Sequence, residues 1–380
     1  MGHIIRRVDL CSEMAPYVLT GMLTSPKLMA PFQIDRGGRT LDLGDYSRVL
    51  SEIRGLSRPG LAYEELDDLG RALKKTEEIV ELDGRRLVLS NLQKPMWKRE
   101  EITKADLIQY YLTVAPKMIP FIKDRPLMLN RFPHGIDGKS FVQKDWPHHP
   151  DWVRTVPVRS HDKPGKAVRH AVCNDSATLV WLADMACVEI NQFLSTSPKF
   201  DWHDLVLVDL DPYPPAEFED VLEIADSIHS ALDQMRLRHL MKTSGADGIH
   251  MFIPIIPKYE IEVIRKFVLL LGSLLESLLP KKVSTSRHHS DRIGKVYIDW
   301  FQNGLVKTVA APFSLRPVRD ALVSFPITPK DLKKRISPED YNIKTVASLL
   351  SKSSFEFDMT PDQSLENAFE ELGTSIARTR

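Results

Sequence analysis

Apolar positions recur at two different periods along this chain, and the changes between them outline its elements. Leu179, Leu182, Ala183, Ala186 and Ile190 share one helical stripe, which predicts a helix over 176–194. Val221, Ile224, Ile228 and Leu232 predict an amphipathic helix over 216–235. Thr103 followed by Asp106 has the form of a helix start, continued by Leu107, Tyr110, Tyr111 and Val114. Residues 260–279 contain the chain's most apolar run and predict a buried helix. Short apolar runs bounded by turn residues predict strands at 86–90, 127–132, 205–211, 250–256 and 296–301. Residues 329–350 are predicted helical, and beyond Ser351 the polar tail is predicted to fray.

Strands and helices mix without a regular βαβ rhythm, so the expected fold class is α+β on an antiparallel or mixed sheet. Residues 1–85 are expected to form an N-terminal extension or small accessory subdomain. They hold turn signals at Arg36-Gly37-Gly38-Arg39 and Ser57-Arg58-Pro59-Gly60 and short helical patterns over 61–80. They carry no chemical constellation. Residues 86–340 form the expected catalytic domain, and 341–380 a C-terminal helix and tail.

Composition narrows the class. The chain has 380 residues, 43% hydrophobic and 27% charged, which suits a globular protein rather than a disordered one. Lys+Arg and Asp+Glu are both 51, so any nucleic-acid partner must be met by local clusters rather than by overall charge. Cys11, Cys173 and Cys187 form no C-x-x-C pair, so no disulfide framework or cysteine zinc site is readable. The most apolar stretch, 267–275, is far short of the roughly 20 residues of a membrane span. The N-terminus lacks the apolar run of a signal peptide. The expectation is a cytoplasmic protein with no membrane partner.

The densest chemical signal is Leu205-Val206-Leu207-Val208-Asp209-Leu210-Asp211-Pro212. Side chains two apart on a strand share a face, so Asp209 and Asp211 project together. Such a pair repels itself unless a cation intervenes, and hard divalent ions suit oxygen ligands. A solvated strand end is the competing reading. Asp299 lies in the apolar pattern Val296-Tyr297-Ile298-Asp299-Trp300-Phe301, either as a third ligand or on a wet edge. Between them, Thr243-Ser244-Gly245-Ala246-Asp247-Gly248-Ile249-His250 can turn tightly and offer N–H groups to an anion, or can be an ordinary turn. Lys281, Lys282, Arg287, Arg292 and Lys295 lead into the Asp299 strand, and Arg316 follows it. Lys94, Lys98, Arg99 and Lys104 cluster before and at a predicted helix start, where backbone N–H groups also favour anions. Phe141, Trp146 and Trp152 sit near Lys139 and Lys144, as stacking residues of a single-strand site would.

Taken in order, these segments resemble the polymerase domain of bacterial ligase D, part of the archaeo-eukaryotic primase superfamily acting in non-homologous end joining. The resemblance covers roughly 86–340. It includes Ile102-Thr103-Lys104-Ala105-Asp106-Leu107, Arg131-Phe132-Pro133-His134-Gly135, Phe141-Val142-Gln143-Lys144, the two aspartate segments, the Ser244 loop and Ala311-Pro312-Phe313-Ser314-Leu315-Arg316. It implies a primase-like fold and a nucleotidyltransferase that fills gaps and extends primers at DNA breaks, often favouring ribonucleotides and manganese. By the same resemblance, Asp209, Asp211 and Asp299 hold two Mn²⁺ or Mg²⁺ ions. Ser244, His250, Arg292, Gln302 and Arg316 contact the incoming NTP or dNTP. Lys94 and Lys104 grip a 5′-phosphate, and Phe141 stacks on template. Implied partners are DNA with breaks or gaps, the Ku end-binding protein and a separate ligase.

Four positions depart from the family pattern: Asn130 for lysine, Asn191 for histidine, Asp247 for lysine and Val142 for a second aromatic. Three of these remove positive charge or hydrogen-bonding capacity near the nucleotide. Two alternatives therefore stand beside the polymerase: an end-bridging module with weak catalysis, and a primase that starts chains de novo.

Overall fold

The computed structural model describes residues 77–159, 167–352 and 357–376, and the backbone of short strands at Ile4–Arg7, Val18–Leu19, Gly21–Met22, Gln33–Arg36 and Arg39–Asp42. The chain divides into two units, residues 1–112 with 175–186, and residues 113–174 with 187–380.

In the first unit, β1 (Glu78–Leu82) and β2 (Arg85–Leu89) form a hairpin. Its turn, Asp83-Gly84, has positive φ at both residues, 51° and 70°. That is the conformation an Asp-Gly turn supplies to match strand twist. The Asp83 carboxylate accepts from the backbone N–H groups of Ser176 and Ala177, the first residues of helix α2 (Ser176–Asp184). Asp175 completes that cap by accepting from the Thr178 N–H at 2.8 Å. A second small pair, β3 (Pro95–Trp97) with β4 (Ile102–Thr103), runs into the start of α1 (Lys104–Ile122).

The second unit carries two larger sheets. One has the order β6 (Phe141–Gln143), β5 (Leu127–Arg131), β9 (Cys187–Phe193) and β15 (Thr308–Ala310), all antiparallel. A separate hairpin pairs β7 (Thr155–Arg159) with β8 (Ala167–Ala171). The six-stranded sheet has the order β13 (Val283–Ser284), β14 (Val296–Ile298), β10 (Leu205–Pro212), β12 (Ile249–Pro254), β11 (Leu240–Thr243) and β16 (Pro326–Ile327). Only β13 and β14 run parallel. Helices α3 (Phe218–Gln234) and α4 (Ile261–Leu278) both pack on β10. Their buried stripes are Val221, Ile224, Ile228 and Leu232, and Val263, Ile264, Phe267, Val268, Leu271 and Leu275. Each such side chain contributes roughly 1.5–3 kcal/mol on burial, so the sheet centre is the stable floor of this unit.

The mixed α+β class agrees with expectation, but four segments differ. The expected helix over 176–194 stops at Asp184, Ala186 takes φ 59°, and residues 187–193 form β9 instead. Strand β9 is buried on nearly every position although it carries Glu189, Asn191 and Gln192, and Ile190 extends the helical stripe without belonging to it. The predicted helix over 329–350 is three short turns, at Pro329–Leu332, Pro338–Asp340 and Val346–Lys352, because Pro338 interrupts it. The tail does not fray over 357–376. Phe357 and Met359 pack on the core formed by Leu194, Leu205, Leu207, Leu240, Phe252 and Val309. Phe369 is fully buried within the helix Glu366–Glu371. The helical pattern expected over 61–80 lies outside the described residues as far as 76, and Glu78–Leu82 is strand.

Candidate active site: an aspartate cluster beside a glycine loop

Strand register brings the acidic residues together. In β10, Asp209 pairs with His250 of β12, and Asp211 pairs with Tyr297 of β14. Asp299 follows β14 directly, and its N–H donates to the Asp209 carbonyl at 2.9 Å. It is not an interior strand residue, as its apolar neighbours suggest. It caps the short turn Trp300–Gln302 by accepting from the Phe301 N–H at 3.0 Å, and it also accepts from the Tyr297 hydroxyl at 3.2 Å.

The surroundings disfavour charge on Asp209 and Asp211. Burial pushes the Asp209 carboxyl up to about 7, with Asp299 adding to it and Lys242 and Arg316 opposing. Burial pushes Asp211 to about 8, helped by Asp209, Asp299 and the exposed Asp247 and opposed by Arg292. Asp209 Oδ1 is buried without an aligned hydrogen-bond donor, although His250 Nε2 lies 3.1 Å away. An orphaned carboxylate oxygen in an all-oxygen set suits a hard divalent cation. The three carboxylates do not bring one oxygen each within 4.8 Å of the others, so they are not gathered on a single point.

Behind Asp209 stands a buried polar chain that the sequence reading missed. Lys242 is fully buried, with Nζ 2.7 Å from His250 Nδ1 and 2.5 Å from Ser324 Oγ. Nδ1 of His250 thus meets Lys242, and Nε2 faces Asp209. Burial pushes both Lys242 and His250 well below their ordinary values. The available signal was a lone lysine in the otherwise strand-like run Leu240-Met241-Lys242-Thr243.

The loop after β11 is fixed by close approach. Gly245 has φ 77°, and a Cβ there would meet Arg316 Cγ at 2.6 Å. A Cβ on Gly248 would meet the Leu210 carbonyl oxygen at 2.5 Å and Asp211 Oδ1 at 3.3 Å. Only glycine lets this loop lie against the aspartate strand. The expectation that the loop offers its N–H groups to an anion needs correcting for two of them. The N–H groups of Ala246 and Gly248 donate to Ser244 Oγ, at 3.1 and 3.0 Å.

The remaining nucleotide candidates differ in their ties. Arg316 Nη1 donates to the Ser244 carbonyl at 2.7 Å, and its Nε lies 2.9 Å from Glu189. Arg292 donates to the Tyr213 hydroxyl at 2.7 Å and lies 3.4 Å above the Tyr297 ring. Gln302 donates to the Thr308 carbonyl at 3.1 Å. Among the departures, Asn130 donates to the same Glu189 at 2.6 Å, Asp247 is exposed beside Asp211, and Asn191 lies in β9.

Phe141 lies on an edge strand, 45% exposed beside the 48% exposed Val142, with the Arg131 guanidinium 5.2 Å from its ring. Trp146 is buried, so of the two it is a core aromatic. In the first unit, Lys94 is half-buried, and its carbonyl accepts from the Lys104 N–H at 2.8 Å. Lys104 is only 4% exposed. Its Nζ lies 2.7 Å from Asp184 and donates to the Ser90 carbonyl at 2.5 Å, so its charge already has a partner inside the unit. Among the described residues, no helix is long and apolar enough to cross a membrane.

Comparison with known proteins gives the chain's family. The chain is 29% identical over 274 residues to the bifunctional non-homologous end joining protein LigD of Bacillus subtilis, covering 72% of this chain and 44% of that protein. It is 29% identical over 251 residues to the multifunctional non-homologous end joining protein LigD of Mycolicibacterium smegmatis, covering 64% of this chain and 32% of that one. It therefore spans less than half the length of these relatives. The polymerase domain of Mycobacterium tuberculosis Ligase D, solved in complex with DNA, superposes with a TM-score of 0.64 at 25% identity, over 74% of this chain and 98% of that domain. Residues 103–356 match the family described as LigD, primase-polymerase domain. With the aspartates, the glycine loop and the mixed sheet all in place, the chain belongs to the LigD primase-polymerase family, a family of DNA-directed nucleotidyltransferases.

Proposed function

We propose that this protein extends primers and fills gaps at DNA breaks during non-homologous end joining, by phosphoryl transfer at the Asp209–Asp211–Asp299 cluster. The carrying observation is the buried oxygen of Asp209, which has no aligned donor, beside Asp211, with burial first and neighbouring carboxylates second holding both groups above the usual carboxylate range. Asp209, Asp211 and Asp299 would hold two Mn²⁺ or Mg²⁺ ions. When bound, such a pair activates the primer 3′-hydroxyl and stabilises charge on the leaving pyrophosphate.

The chain's own residues do the positioning. Lys242, through His250, fixes Asp209 from behind. Arg292, held by Tyr213 and Tyr297, places a guanidinium beside Asp211, where triphosphate charge would gather. Arg316, Ser244, His250 and Gln302 complete the nucleotide side. Asp247, exposed where the family commonly has lysine, adds negative charge there and weakens nucleotide affinity. Phe141 stacks on template. Lys94 and Lys104 recognise a 5′-phosphate, with Lys104 exchanging part of its tie to Asp184. Ribonucleotide preference, Ku, a partner ligase and a place on the nucleoid follow from the resemblance. The curated relatives are named for end joining, and the solved mycobacterial domain was bound to DNA, which supports the DNA-end substrate.

The test is extension of a labelled primer on gapped, 5′-phosphorylated DNA with NTPs or dNTPs and Mn²⁺ or Mg²⁺. Extension abolished by Asp209→Ala supports the polymerase. Binding without extension supports instead an end-bridging module, the reading favoured by Asp247. Synthesis on an unprimed strand makes it a primase. Lys94→Ala is expected to weaken binding to phosphorylated gaps far more than to unphosphorylated ones, and equal losses would remove its phosphate role.

A further inference from the structure

The connection between α3 and β11 holds a cluster that nucleotide transfer does not use. His229 lies in the last turns of α3, Asp233 follows one turn later, and His239 immediately precedes β11. His229 Nδ1 and His239 Nε2 are 2.9 Å apart, and Asp233 Oδ2 is 3.6 Å from His229 Nε2. One ligand atom from each of the three lies within 4.8 Å of the others. The two imidazoles are half-buried, while Asp233 is exposed.

The tautomer of His239 is fixed by its neighbour. Its Nδ1 is 2.8 Å from the Leu237 carbonyl, which can only accept, so Nδ1 carries the proton. Nε2 therefore presents a lone pair toward His229. A ring whose far N–H is held by a backbone carbonyl is the support that metal-ligating histidines typically have. Burial also holds His239 below the ordinary imidazole range, which keeps it neutral and able to ligate near neutral pH.

We propose that His229, Asp233 and His239 bind a borderline divalent metal such as Zn²⁺, at a site separate from the aspartate centre. Two imidazole nitrogens with one carboxylate oxygen suit such an ion better than the hard cations of an all-oxygen set. Metal–nitrogen bonds of about 2.0–2.1 Å at a tetrahedral angle place the two nitrogens roughly 3.3 Å apart. The rings need to part by only a few tenths of an ångström, and the exposed Asp233 can swing to close the set. The fourth position is left to water. A metal here cross-links the end of α3 to the start of β11, the strand that carries Lys242 and leads into the Ser244 loop.

The test uses untagged full-length protein, stripped with chelator and titrated with Co²⁺, read by visible absorption. Tetrahedral Co²⁺ absorbs far more strongly than six-coordinate Co²⁺ on carboxylates and water, so the aspartate centre stays nearly silent. Wild-type protein is expected to develop these bands to one equivalent and lose them when Zn²⁺ is added. The double variant Asp209→Asn/Asp211→Asn is expected to keep them, whatever becomes of polymerase activity. His229→Gln and His239→Ala are expected to lose them, with Zn²⁺ affinity falling more than about tenfold. Circular dichroism of each variant without metal confirms that it is folded, and Asp233→Asn, altered at an exposed position, gives an intermediate spectrum. Wild-type protein without the bands, or bands that survive in both histidine variants, overturns the proposal.

Discussion

The two ends of β10 handle buried negative charge in opposite ways. Just before its first residue, Asp204 is met by Arg125 in a two-pronged pair, with contacts of 2.6 and 3.0 Å, and both side chains are nearly buried. Arg125 also donates to the carbonyls of Phe121 and Phe193. Every charge there has a partner. At the other end, Asp209 and Asp211 share a face with each other and adjoin Asp299. Their nearest compensation comes from Lys242, Arg316 and Arg292 at longer range. One end spends its charge on holding the fold. The other keeps charge in reserve for something that is not protein. A strand stable enough to carry that repulsion is what the buried α3 and α4 stripes supply.

The largest effects are expected where charge is held in reserve. Asp209→Asn is expected to reduce primer extension at least about 10³-fold, the loss of several kcal/mol of transition-state charge stabilisation. The same change should leave the metal-free protein as stable as wild type or more so, since it removes one member of a repelling set. An active Asp209→Asn variant would break the comparison outright. A pH series sharpens it. With the folded carboxyls raised to about 7 and 8 from 3.8, the folded state holds protons that the unfolded state has released. The resulting stabilisation is complete below 3.8 and is lost as pH rises through 7 to 8. Chelated protein should thus melt at lower temperature at pH 8.5 than at pH 5.5, and Asp209→Asn/Asp211→Asn should flatten that dependence. A wild-type melting temperature that climbs over this range would show that the cluster does not carry the stored repulsion.

The compensated end should respond in stability instead. Arg125→Ala strands Asp204 as a buried charge and is expected to cost about 3–5 kcal/mol in urea unfolding. Extension per folded molecule should change little. Arg125→Met with Asp204→Leu removes both charges together and should restore most of the loss, because a pair's desolvation nearly cancels its attraction. If the double change is as damaging as the single one, the pair is holding geometry rather than balancing charge.

The sequence revealed these ends unequally. Asp209, Asp211 and Asp299 were legible because carboxylates at spacing two in an apolar run are costly and so conspicuous. Arg125 and Asp204 were not, because each sits at an element boundary where charged residues are ordinary, and their pairing spans 79 positions. Lys242 was hidden for a different reason. A lysine reads as solvent-facing unless the strand is known to be buried on both faces, as β11 is, and that depends on what packs across the sheet. The Asp83-Gly84 turn carried a readable hairpin signal that went unused. Strand β9 was misread because Ile190 continues the stripe of the preceding helix, which masked the alternation Val188-Glu189-Ile190-Asn191. The tail was misjudged from its polar average, although Phe357, Met359 and Phe369 decide its fate.

The smallest expected effect lies between the two ends. Strand β14 pairs with β10 only from Leu210 to Pro212, so upstream the β10 edge on that side has no strand neighbour at Leu207. The fully buried Asn303 side chain takes the neighbour's place. Its Oδ1 accepts from the Leu207 N–H at 2.8 Å, and its Nδ2 donates to the Leu207 carbonyl at 2.7 Å. Asn303→Ala orphans one donor and one acceptor in the interior. The expected cost is about 2 kcal/mol, within the range for buried polar groups left unpaired and below that for an unpaired charge. Leu207 lies two residues from Asp209 on the same face, so loosening it should also lower extension, by a few-fold rather than by orders of magnitude. Asn303→Asp keeps the acceptor but turns a carboxylate oxygen toward the Leu207 carbonyl, and should be the worse of the two. Should Asn303→Ala leave both unfolding and extension untouched, the middle of β10 is held by its packing alone, and the difference between its ends owes nothing to this amide.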